Sequence, residues 1–215
     1  MLQTPPPNIS KNARRQTTIL YYDNVDIDGF AVRSALAKLV AETGRKKHYQ
    51  RAHEWCCGHG AIGFELLEQG LCDHLVLTDK FGPATQGCCF TVAANDLQSQ
   101  VTVYTSDSLG DLPDDEKWDL FVANPPWRPT VEHNNFHDDH IRKGYDLGWA
   151  THRDMWQHLY NYTTADADIY LYEDTSGSTV ETWQEDIQRS GFQLQGVEEK
   201  FGILSTGYVM HLVKS

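Results

Sequence analysis

No apolar run in the sequence approaches the ~18 residues that a membrane-spanning helix requires. The first residues, Met1-Leu2-Gln3-Thr4 and three prolines, lack the charged beginning and apolar middle of a secretory leader. The chain therefore reads as cytoplasmic, with no membrane partner. Cysteine is scarce and badly spaced for cross-linking. There are five, an odd number, four of them in the adjacent pairs Cys56-Cys57 and Cys88-Cys89. Without a Cys-x-x-Cys pair, neither a disulfide framework nor a cysteine metal knuckle is expected, and the thiols read as small buried hydrophobes. Positive charge is also short: 18 Lys and Arg face 30 Asp and Glu, a formal net charge of -12. Such a chain repels polyanions, so nucleic acid is an unlikely partner and cationic or neutral partners are favoured. No internal repeat is visible. What remains, 215 residues with 40% hydrophobic and 22% charged, is enough for one soluble domain with its own core.

The most informative stretch runs from Asp119 to Trp127, Asp-Leu-Phe-Val-Ala-Asn-Pro-Pro-Trp. Its apolar run, Leu120 to Ala123, suits a central parallel strand covered on both faces. The strand must stop at Asn124. Pro125 and Pro126 have no N–H for a ladder and bias the residue before each of them toward extended backbone. The Asn124 amide, the Pro125 carbonyl and the Trp127 ring are thereby presented at the carboxyl end of a strand, the edge where open α/β sheets bind ligands.

Residues 1–18 are Pro-rich and aperiodic and read as a flexible arm. Residues 19–49 read as a helical extension: a short strand at 19–22, then a helix capped by Asp28, with Val32, Leu36, Leu39 and Val40 at helical spacing and Gly44 as its stop. Arg45, Lys46, Lys47 and Arg51 form the one dense basic cluster of the folded part. Because it leads into the first main strand, it belongs at the amino edge of the sheet, away from ligand. From Ala52 the pattern is strand, glycine-rich turn, helix, with Gly58, Gly60 and Gly63 at G-x-G-x-x-G spacing. A second strand, 75–77, ends in Thr78-Asp79, where an acidic side chain can accept ribose hydroxyls; a helix cap is the plainer role. A third, 101–104, ends in Ser106-Asp107-Ser108. Alternation continues to the end: helix 149–162, strand 168–173, a helix 179–189 capped by Ser178, and strands 192–198 and 208–213.

Taken together, Glu54 to Gly63, Asp79, Asp107 and Asn124 to Trp127 resemble the class I S-adenosylmethionine-dependent methyltransferases. The Asn-Pro-Pro-Trp form is similar to the branch holding release-factor glutamine N5-methyltransferases and adenine N6-methyltransferases. The resemblance covers about residues 50–213. It implies an α/β, Rossmann-like, seven-stranded mixed sheet with the last strand antiparallel and helices on both faces, and S-adenosyl-L-methionine as cofactor. Carried over, Glu54 lies near the cofactor's methionine part and Gly58 and Gly60 allow its close approach. Asp79 holds the ribose, Lys80 and Phe81 flank the adenine, and Asp107 with Ser108 meets its amino group. Cys56 departs from the pattern, standing where the family commonly has the first glycine.

On this reading Asn124, Pro125 and Trp127 are catalytic. The first two accept the hydrogens of a nucleophilic nitrogen and the third stacks on a planar acceptor. The long polar stretch 128–152 reads as a substrate lid of the 50–215 domain. In it Asp138, Asp139, Tyr145 and Trp149 would contact the acceptor, while His133, His137 and His140 read as hydrated rather than metal-binding. The expected activity is N-methylation of an amide, guanidine or amine nitrogen in a small molecule or peptide, cationic or rich in donors. The alternatives are adenine N6-methylation of RNA or DNA, and a catalytically silent cofactor-binding scaffold.

Overall fold

The computed structural model describes residues 8–10, 17–21, 28–130, 144–202 and 205–215. Seven strands make the main sheet: β3 (Tyr49–Trp55), β4 (Cys72–Asp79), β5 (Val101–Thr105), β6 (Trp118–Ala123), β7 (Thr163–Asp174), β8 (Phe192–Glu199) and β9 (Gly207–Lys214). Their order is β5-β4-β3-β6-β7-β9-β8. The first five named in that order are parallel, and β9 runs antiparallel to both β7 and β8. This is the expected seven-stranded mixed sheet with its last strand reversed. A separate pair, β1 (Asn8–Ser10) and β2 (Ile19–Tyr21), is antiparallel, so ladder pairing occurs within the stretch read as an arm.

Alternation along the strands gives the sheet two apolar faces. Leu75, Leu77, Leu120, Val122, Tyr170 and Tyr172 point to one, where they meet α1 (Asp28–Thr43), α2 (Ala61–Glu68) and α3 (Gly82–Ala94). Val76, Phe121, Ala123, Ile169 and Leu171 point to the other, beneath α4 (Ala150–Tyr162) and α5 (Val180–Arg189). Of the four apolar residues at helical spacing, Val32, Leu36 and Val40 are buried and Leu39 is partly buried against them; Trp183 and Ile187 are the core stripe of α5. One detail differs. The N-cap of α5 is Thr179, whose N–H donates to the Thr182 hydroxyl, while Ser178 is turned inward to Glu173.

The basic cluster lies at the amino edge, where it neutralises buried acids. Asp168 accepts from the Arg45 N–H and guanidinium, the Tyr49 hydroxyl at 2.8 Å and His211 at 2.7 Å. Asp119 accepts from the N–H groups of Gln50 and Arg51 and pairs with Lys46 at 3.0 Å. Arg51 forks onto Glu116 at 2.6 and 2.7 Å. Of the four basic residues, three are committed to carboxylates. Burial pushes the Asp168 carboxyl up, but hydrogen bonds from His211, Tyr49 and Arg45 outweigh it and hold the group below its ordinary range.

Replacing Asp168 by Ala strands these donors in a dry site and should destabilise the fold by about 3–5 kcal/mol, read from urea unfolding at neutral pH. A depressed carboxyl contributes its stability above the unfolded-chain value and loses it as pH falls through the lower folded value. The variant should therefore approach wild-type stability in strong acid.

Candidate active site

β3, β4 and β6 stop together at the carboxyl edge, and a cleft of about 380 Å³ opens above their ends. One wall is the turn from β3 into α2. Cys56, Gly58 and Gly60 all take left-handed backbone, with φ of 53°, 53° and 73°. Cys56 thus keeps a glycine-like conformation despite its Cβ, a departure that typically costs about 1–2 kcal/mol, and it lines the cleft. The glycines divide the work. Gly58 lines the cleft, whereas Gly60 caps α2 in a spot where a Cβ would press Leu77 and Phe64. At Gly63 a Cβ would meet Leu75, Leu77 and Glu54, so this glycine lets the helix close onto the sheet.

Asp79, at the end of β4, fastens that turn. One oxygen accepts from the Gly58 N–H and the other from the Phe81 N–H, each at 2.8 Å. The carboxylate therefore ties the glycine turn to the start of α3 at the wall of the cleft. Lys80, Phe81, Ser106 and Asp107 continue the wall, with Lys80 and Asp107 paired at 3.4 Å across its exposed rim. At the floor sits Glu54, 2% exposed, accepting from the Gly63 N–H at 2.7 Å. Burial drives its carboxyl up to about 8, against the opposing pull of the Gly63 and Ile62 N–H groups. It is mostly protonated at neutral pH.

The opposite wall is Asn124 to Arg128. The Asn124 amide makes no hydrogen bond among the described residues and borders the cleft. Behind it the Trp127 carbonyl lies against Gly177, where a Cβ would overlap it. The Arg128 guanidinium covers the Trp127 ring at 4.5 Å and lies 5.7 Å from Tyr145. The segment is held from both sides: the Arg128 N–H donates to the Gly144 carbonyl, and the Asp146 N–H to the Arg128 carbonyl at 2.9 Å.

Of the residues singled out from sequence, Glu54, Gly58, Asp79, Lys80, Phe81, Asp107, Asn124, Pro125 and Trp127 line this one cleft. Gly60 lies beneath the turn, and Ser108 is turned away, donating to Asp154 and capping a short 3-10 turn. Tyr145 pairs with Arg128 by a backbone bridge beside the cleft. Trp149, left-handed at φ 61°, packs its ring on Trp183 and His152. Asp138, Asp139 and the three lid histidines fall outside the described residues. Sequence reasoning passed over Phe30, Cys57, His59, Arg128 and Thr151, all of which line the cleft. Arg128 and Thr151 carried a signal, their place in the stretch 128–152 read as a lid; Phe30 carried none, since only tertiary packing brings it there.

Because Glu54 holds its proton far above the ordinary value of 4.5, the free protein should lose stability as pH rises from 4.5 to about 8. Over this window the unfolded chain has already released a proton that the folded state retains. The slope from this one group is at most about 1.4 kcal/mol per pH unit. Subtracting the pH–stability curve of Glu54→Gln from that of wild type should isolate it; parallel curves would show that Glu54 is ionised in the fold.

The methyltransferase small domain model matches residues 33–144, more than half of the chain. A search of curated proteins finds no significant match. Among solved structures, the chain is similar to a ribosomal protein L11 methylase from Lactobacillus delbrueckii subsp. bulgaricus, with TM-score 0.62 and 15% identity over 85% of this chain and 79% of that one. It is also similar to the B. subtilis M1A22 tRNA methyltransferase TrmK, with TM-score 0.61 and 10% identity over 83% and 65%. The glycopeptide N-methyltransferase MtfA, complexed with S-adenosylmethionine, aligns with TM-score 0.61 and 10% identity over 86% and 96%. The residues at hand fit that cofactor: a left-handed turn that brings backbone to the cleft, an acidic strand end in its wall, and a buried carboxyl at the floor. The chain belongs to the methyltransferase small domain family and is an S-adenosylmethionine-dependent methyltransferase of the class I fold.

Proposed function

We propose that the protein methylates a nitrogen, of the amide, guanidine or amine type, in a small molecule or peptide. The observation that carries this reading is the Asn124 amide, bordering the cleft at the end of β6 with no hydrogen bond to another described residue. Two prolines set the backbone that presents it.

The bound cofactor supplies an activated methyl group, so the chain's own task is to orient the acceptor nitrogen and accommodate the charge that develops on it. The Asn124 Oδ1 and the Pro125 carbonyl accept the hydrogens of that nitrogen, which frees its lone pair from conjugation and stabilises the charge. Trp127 offers an aromatic face to a planar group; Arg128 covers that ring here and must yield or share it. Asp79 and Phe81 hold the other half of the cleft for ribose and adenine. The Asn-Pro-Pro-Trp branch, amide and adenine methylation alike, uses the same residue types.

A second reading, methylation of RNA, draws support from the likeness to solved tRNA methyltransferases. Against it stand the net charge of -12 and the commitment of Arg45, Lys46 and Arg51 to buried acids at the opposite edge. Incubating the enzyme and labelled cofactor with fractionated cell extract, with mass spectrometry of the products, should reveal a methylated small molecule or peptide. Label in RNA, with binding that weakens steeply as salt rises, would favour the second reading.

Two substitutions separate the halves of the site. Asn124→Ala should lower turnover about a hundredfold or more while S-adenosylhomocysteine affinity stays within a few-fold of wild type. Wild-type turnover would remove Asn124 from the chemistry. Asp79→Ala should weaken S-adenosylhomocysteine about ten- to a hundredfold in calorimetric titration, since the ribose acceptor and the fastening of the turn are lost together. Unchanged affinity would refute the ribose assignment.

A further inference from the structure

His152 lies behind the acceptor wall, fully buried, with a carboxylate on each side of its ring. Its Nδ1 meets Asp146 at 2.6 Å and its Nε2 meets Glu173 at 2.7 Å. Asp146 and Glu173 are themselves 2% and 0% exposed. A carboxylate at each nitrogen favours the doubly protonated ring, an imidazolium held between two acids, and its face stacks on Trp183 at 4.5 Å and 9°. A charged cluster in so dry a place is weak evidence of stabilisation in itself. Its connections are more informative.

Asp146 accepts from the N–H groups of Thr151 and His152, the first turn of α4, and its own N–H donates to the Arg128 carbonyl. Glu173, near the end of β7, accepts from Ser178, whose hydroxyl also meets Tyr208. Next to Ser178 is Gly177, whose missing side chain admits the Trp127 carbonyl. The segment after β6, the start of α4 and the turn after β7 are thus joined through one buried ring. Thr151, the neighbour of that ring, and Trp127 with Arg128 all line the cleft.

We propose that His152, bridging Asp146 and Glu173, is a positioning residue that sets the place of Trp127 and Arg128 in the acceptor wall, with Gly177 as the second point of contact. The inference rests on the reading of Asn124 to Arg128 as that wall. Nothing in the network reaches the reacting atoms, so it acts through backbone position alone. The groups that face the ring are Asp146 ahead of α4, Glu173 on β7, the indoles of Trp149 and Trp183, and, through Glu173, Ser178 and Tyr208. Burial pulls the imidazole down, but Glu173 and Asp146 more than reverse this and raise it to about 9. A raised group of this kind contributes its stability fully below its ordinary 6.5 and loses it as pH climbs through about 9. The acceptor wall should therefore come loose in mild alkali while the cofactor wall stays closed.

Amide hydrogen exchange by NMR reads this without any acceptor. In wild type, the amides of Arg128, Asp146 and Gly148 should lose protection at least tenfold around pH 9, relative to β6 amides such as Phe121 and Val122. Glu173→Gln keeps the shape and an acceptor oxygen but removes one charge, so the midpoint should fall by about one pH unit or more. His152→Gln should leave those amides open at every pH. Gly177→Ala, which only pushes on Trp127, should open Arg128 while leaving the midpoint at Asp146 in place. S-adenosylhomocysteine affinity should stay within about threefold in each folded variant. If His152→Gln does not fold, Glu173→Gln and Gly177→Ala carry the test. An unmoved midpoint in Glu173→Gln, or acceptor-wall amides that open only with β6, would overturn the proposal. Failure to find any methylated product would count against the proposed function and leave the exchange result standing.

Discussion

Asp168 is the fastening on which the rest of the sheet depends. A buried carboxylate on β7 gathers the start of the segment after α1, a hydroxyl from β3 and an imidazole from β9. A parallel sheet has no tight turns to set its register, so the level of each strand has to be fixed by the packing of crossover helices or by polar groups at its ends. Here the polar groups do it at the amino edge. Asp168, Asp119 and Glu116 each hold several donors across neighbouring strands. With the amino ends levelled, β3, β4 and β6 also end level, and their carboxyl ends open on one cleft.

The two edges treat buried charge differently. At the amino edge the acids meet guanidinium and ammonium groups, and Asp168 and Glu116 titrate below their ordinary range. At the carboxyl edge, burial outweighs everything offered to Glu54, and His152 is raised by the two acids beside it. One edge is settled for stability; the other keeps groups whose protons are loosely decided near neutral or mildly alkaline pH. Perturbed groups of that kind gather where chemistry is done. The acidic composition has the same logic, since three of the four basic side chains clustered at the amino edge are spent on internal acids rather than on a face for polyanions.

The sheet was legible because its signals are local and repeated. Short apolar runs ending in Asp79, Asp107 and Asn124 mark strands and their carboxyl ends at once, and Gly58 and Gly63 mark the turn and the close helix. What sequence could not show depends on side-chain direction and on distant partners. Trp149 reads as an acceptor contact because it is aromatic and near the right loop, yet two left-handed residues, Gly148 and Trp149, turn its ring toward Trp183. Ser108 sits beside Asp107 in the chain but belongs to Asp154 in space. Likewise His152 looks like one more lid histidine, because nothing in its neighbours announces Glu173 across the fold. Cys56 shows the limit in the other direction: the backbone keeps the left-handed turn that a glycine would adopt freely.

The order of the strands also bears on how the protein is made. β9 follows β8 in the chain, yet it lies between β7 and β8 and bonds to both. Until residues 207–214 emerge from the ribosome, β7 offers an open edge where Met210 and Leu212 will later be buried. β8, already synthesised, has no strand to join. The nascent chain can assemble β3 to β7 around the glycine turn while still lacking the strand that seals them, so the sheet closes only once residues 207–214 are available.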